Sequence, residues 1–74
     1  MKEYEILIET INPCGGEAHA QREIIEAAAE SEESYAVSAS PYPVMDTVQL
    51  PTGDKCIITG DGKGRMVRYT FTEI

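Results

Sequence analysis

Three stretches of this chain alternate side-chain character with a period of two, and turn residues break the chain between them. Tyr4 to Ile11 sets Tyr4, Ile6, Ile8 and Thr10 against Glu5, Leu7, Glu9 and Ile11. Val44 to Leu50 sets Val44, Asp46, Val48 and Leu50 against Met45, Thr47 and Gln49. Arg65 to Thr72 sets Val67, Tyr69 and Phe71 against Met66, Arg68, Thr70 and Thr72. Successive side chains of a strand point to opposite faces, so this pattern marks half-buried strands. Lys55 to Thr59, with Cys56, Ile57 and Ile58, adds a further short one. Asn12-Pro13-Cys14-Gly15-Gly16 closes the first strand, and Pro51-Thr52-Gly53-Asp54 and Gly60-Asp61-Gly62-Lys63-Gly64 separate the later ones. Proline removes a donor and glycine permits left-handed backbone, so each is a turn. Strands joined by such short connections pair antiparallel.

Between the first and second of these strands the period changes. From Glu17, the residues Ala18, Gln21, Ile25 and Ala28, with Ile24 beside them, recur at spacings of three and four. His19, Glu23, Glu26, Glu30 and Glu33 lie opposite. One face is apolar and the other acidic, which predicts an amphipathic helix. Ala27-Ala28-Ala29 adds helix propensity, and Glu17 suits a helix N-terminus. The helix is expected to end between Glu33 and Ser38, before the Pro41-Tyr42-Pro43 crossing. The expected fold is a small α+β domain over residues 1 to 74, β-α-β-β-β, with one helix on one face of a mostly antiparallel sheet. With Tyr4, Ile6, Ile8, Val44, Val48, Leu50, Val67, Tyr69 and Phe71 facing the helix, the open face carries Leu7, Ile11, Met45, Met66, Arg68, Thr70 and one of Ile57 and Ile58. An uncovered sheet face with apolar residues, Leu7, Met45, Met66 and Arg68 among them, is a candidate homodimer or partner interface.

Charge narrows the partners. The 74 residues carry a formal charge of −7, from 13 acids against 6 bases. All of the excess lies in residues 1 to 40; the remainder is balanced. Such a surface repels phosphate, which argues against direct binding to DNA, RNA or an anionic membrane and favours a basic partner. No apolar run nears the roughly 20 residues that span a bilayer. Met1-Lys2-Glu3-Tyr4-Glu5 is unlike a signal peptide, so the expected location is the cytoplasm, with free thiols.

Few residues suggest chemistry. Cys14 precedes the expected helix, whose N-terminus would favour a thiolate, and His19 stands one turn further on. No third, orienting group is recognisable, and a turn that merely contains a cysteine explains the motif. Cys14, Glu17, His19 and Cys56 match no zinc-ligand spacing. Gly60-Asp61-Gly62-Lys63-Gly64-Arg65 precedes a strand, whereas a phosphate loop must run into a helix. Neither cofactor nor metal is expected.

What remains is the acidic row Glu23, Glu26, Glu30, Glu32 and Glu33, able to occupy a basic groove that ordinarily holds nucleic acid. The functional expectation is a non-enzymatic interaction protein that binds a larger basic protein. Its concrete form is an inhibitor of phage or mobile-element origin, of anti-CRISPR or anti-restriction type, blocking a nucleic-acid-binding or subunit-docking surface. The alternatives are a thiol-dependent or redox-sensitive protein using Cys14, and a self-associating module using the open sheet face.

Overall fold

A computed structural model of the chain describes residues 1–11 and 21–74. Its elements are β1 (Lys2–Ile11), β2 (Gln21–Ala29), α1 (Glu32–Ala39), β3 (Val44–Gln49), β4 (Lys55–Gly60) and β5 (Met66–Glu73). The strands form one antiparallel sheet in the order β2-β1-β5-β4-β3. The fold is a small α+β unit, mostly sheet.

The order is β-β-α-β-β-β rather than β-α-β-β-β. Gln21–Ala29, expected to be helical, is a strand paired with β1 from Lys2↔Ala29 to Thr10↔Gln21. Glu17 to Ala20 lie outside the described residues. The segment reads equally well with a period of two, which sends Ile25, Ala27 and Ala29 to one face and Ile24, Glu26 and Ala28 to the other. Burial follows that alternation: Ala29 is buried and Ile25 and Ala27 half-buried, while Ile24, Glu26 and Ala28 are exposed. Helix propensity among such residues differs by less than about 1 kcal/mol each, so the long ladder with β1 decides the conformation.

The helix comes one element later and is only eight residues long. Ser31 caps it: its Oγ accepts from the Ser34 N–H (3.1 Å), and Ser34 Oγ accepts from the Ser31 N–H (3.3 Å). Glu32 and Glu33 occupy the first turn, where the helix dipole favours carboxylates. The chain leaves at Ser40, just before Pro41 and Pro43.

α1 lies over the sheet face formed by Tyr4, Ile6, Ile25, Ile57, Tyr69 and Phe71. Ala36 is wholly buried there, in one core cluster with Ala29. Tyr35 fastens the helix by edge contacts with Tyr69 and Phe71, ring centroids 6.0 and 5.8 Å apart. Thr59 is the buried polar residue of this layer; its hydroxyl donates to the Val67 carbonyl (2.8 Å) and meets Ser40 Oγ at 2.7 Å.

The turns fall where glycine and proline place them. Gly53, Gly62 and Gly64 have positive φ. Asp61 Oδ1 accepts from the Lys63 and Arg65 N–H groups, and the first of these bonds chiefly holds its carboxyl below the usual range. β3 carries an irregularity between Val44 and Asp46. It shifts the alternation, so Val48 sits opposite Cys56 on the open face rather than on the helix face where strict alternation would put it.

Candidate interaction surface

The register of the strands maps the face opposite α1. Its middle row runs Ile24, Leu7, Thr70, Cys56, Val48 across β2, β1, β5, β4 and β3. One step along the strands the row is Arg22, Glu9, Arg68, Ile58, Asp46. Beyond that lie Ile11 and Met66, with Met45 close over Gly60. In the other direction from the middle come Glu26 and Glu5, directly opposite each other, then Ala28 and Glu3.

The charged row is ordered by ion pairs. Glu9 Oε2 accepts from Arg22 Nε at 3.1 Å and from Arg68 Nη2 at 3.3 Å, so one carboxylate holds guanidinium groups from both neighbouring strands. Glu9 is well shielded, at 13% side-chain exposure, whereas Arg22 is 56% exposed. Among the described residues no corresponding bridge relieves Glu5 and Glu26. Like charges directly opposite across a ladder repel, so this pair works against the sheet that holds it.

These rows of charge reflect a polarity among the described residues. The end of the sheet where Lys2 pairs with Ala29 also holds the end of β5, the β3–β4 turn and the start of α1. It gathers eight acids (Glu3, Glu5, Glu26, Glu30, Glu32, Glu33, Asp54 and Glu73) against two bases, Lys2 and Lys55. The other end holds Glu9, Glu23, Asp46 and Asp61 with Arg22, Lys63, Arg65 and Arg68, a balanced set among the described residues.

Both lysines of the acidic end are already engaged. Lys2 pairs with Glu73 at 3.2 Å, and Lys55 with Glu33. Hydrogen bonding to Lys55 holds the Glu33 carboxyl below the usual range, and Glu33 in turn raises the Lys55 ammonium. Burial, reinforced by Glu32, pushes the Tyr4 phenol up; its hydroxyl lies 3.4 Å from Glu32 Oε1.

The predicted acidic row is therefore redistributed. Glu26, Glu30, Glu32 and Glu33 do gather at one end, though on a strand, a connection and a helix rather than along one helix face. Glu23 does not join them: it sits opposite Ile8 in the other half, on the face that Glu26 leaves. Glu3, Glu5, Asp54 and Glu73 complete the cluster and lie outside the expected row: Glu3 and Glu5 reach Glu26 through the β1–β2 pairing, Glu73 through the β1–β5 pairing, and Asp54 through the β3–β4 turn. A period-two reading of residues 21 to 29 would have revealed the first of these pairings. Leu7, Met45, Met66 and Arg68 lie on the face opposite α1 with Ile11, Thr70 and Ile58.

Cys14 and His19 lie outside the described residues. Cys56 is a free thiol, half-buried in the open face, with Thr70 Oγ1 at 3.7 Å. Among the described residues no group of three His, Cys, Asp or Glu side chains is arranged to hold a metal. No described helix is long and apolar enough to cross a membrane. A shallow depression at the acidic end is lined by Glu3, Glu26, Ala27, Ala28 and Ile74. Comparisons with family models, with curated proteins and with solved structures gave no match.

Proposed function

We propose that this chain is a binding protein without catalytic activity, and that it engages a larger, positively charged protein through the acidic end of its sheet. The observation that carries this reading is the polarity of the described residues: eight carboxylates against two already paired lysines at one end, and balance at the other. A concentrated field of one sign speeds encounter with a basic surface and fixes orientation. Along β1, Glu3 and Glu5 are spaced by about 6.7 Å, two strand residues, so a strand margin can present carboxylates at intervals comparable with backbone phosphates. In its most specific form the proposal is an inhibitor, of phage or mobile-element origin, that blocks the nucleic-acid-binding or subunit-docking surface of a nucleic-acid-handling complex.

The test is affinity capture from a nuclease-treated bacterial lysate, comparing the native chain with a Glu3→Lys, Glu30→Lys variant. Both positions are exposed, so the fold should survive. A basic protein retained by the native chain, released as salt rises and lost with the variant is the expected result. Retention that the variant leaves unchanged would refute the proposal.

A further inference from the structure

We propose that two copies of this chain pair through the outer edges of β2, antiparallel about a two-fold axis at Ile24, to form one sheet continuous across both. Among the described residues no strand lies beyond β2, so its outward main-chain groups are available to a further strand. What selects a second copy is the order of side chains on the open face of that edge: Arg22, Ile24, Glu26. Turned about Ile24, this sequence is its own electrostatic complement. Arg22 of each copy meets Glu26 of the other, on both sides of a central Ile24 pair.

Three features of the single chain are then accounted for together. Ile24 is 64% exposed, and an identical side chain across the axis would cover it. Glu5 and Glu26 face each other as like charges, and Arg22 of the second copy would arrive beside them. Arg22 bonds Glu9 through Nε, which leaves the rest of its five-donor fork for Glu26 of the second copy. Such an interface is isologous and closes on itself. The far edge of the sheet has no matching pattern, since β3 carries only Asp46 as a charge and is irregular beside it. This interface shares Glu26 with the acidic end, but its test is the oligomeric state of the chain alone and needs no basic partner.

The experiment is sedimentation equilibrium under reducing conditions, from about 1 to about 200 µM, on the native chain, Arg22→Glu, Glu26→Arg and the double swap. The native chain should dimerise. Each single swap sets two pairs of like charges across the axis and should weaken the dimer about tenfold or more, while the double swap should restore it. Circular dichroism verifies that each variant is folded. As a check that needs no charge change, Ile24→Cys with Cys14 and Cys56 replaced by serine should oxidise readily to a covalent dimer, because directly opposite residues lie within disulfide reach. A native chain that stays monomeric overturns the proposal and leaves the edge to a strand of another protein. Dimers indifferent to the single swaps, or folded double swaps that remain monomeric, overturn the register.

Discussion

Replacing Ala29 with leucine, beside the same change at Ala28, separates a strand from a helix over residues 21 to 29. In the strand Ala29 points inward: it is 6% exposed and packs in the layer where Ala36 is fully buried. Three added carbons have no room there unless α1 lifts from the sheet, and overpacking of this kind costs about 1–3 kcal/mol. Ala28 points to the open face, where a surface change stays within about 0.5 kcal/mol. For 74 residues the whole stability is about 4–11 kcal/mol, so the Ala29 change removes a substantial fraction of it. Urea unfolding followed by circular dichroism reads the difference, expected as a midpoint lower by about 1 M or more for Ala29→Leu than for Ala28→Leu. On the helical pattern Ala28 belongs with Ile25 and Ile24 on the inward side and Ala29 does not. A larger loss at Ala28 than at Ala29 would refute the strand.

Two further outcomes follow from single contacts. The Glu33 carboxyl is held below its ordinary value of 4.5 and the Lys55 ammonium above 10.5, so the pair stabilises the fold between those values. Its contribution is lost as pH falls through the depressed Glu33 value, or rises through the raised Lys55 one; Glu33→Gln should therefore flatten the acid limb of a plot of urea midpoint against pH from 3 to 7. Thr59→Val keeps the shape but leaves the Val67 carbonyl and Ser40 hydroxyl without their shared partner in a buried site, at a cost of about 1–3 kcal/mol. Adding Ser40→Ala to Thr59→Val should cost less than the two changes summed, and thermal melts of the three variants check this.

β1, β3, β4 and β5 are legible as strands from residues alone because apolar patterning and turn chemistry agree over them. The irregularity between Val44 and Asp46, however, moves Val48 to the face opposite the one that alternation gives it. Tyr4, Ile6 and Ile8 face inward on period two, and Gly53, Gly62 and Gly64 adopt the positive φ that their turns need. β2 is not legible, because Gln21–Ala29 satisfies both periods and is rich in helix formers. What decides it is the pairing of Lys2–Thr10 with Gln21–Ala29, a contact that no local window contains. The same contact moves the acidic surface: Glu26 and Glu30 keep their place in it, Glu23 leaves, and Glu3 and Glu5 enter from β1. The true helix was obscured by its length and by its anchoring through Tyr35 and Ala36 instead of an apolar stripe. Its start was nevertheless written in Ser31 and Ser34, which cap each other.

The measurement that bears most directly on the binding surface compares two doubly charge-reversed chains of equal net charge. One carries Glu3→Lys and Glu30→Lys at the acidic end; the other carries Glu23→Lys and Asp46→Lys in the balanced half. The binding of each to the protein captured by the native chain is titrated at fixed salt. Binding lost only in the acidic-end variant is the expected result. Equal loss in both would contradict a surface confined to that end, and would reduce the effect to net charge alone.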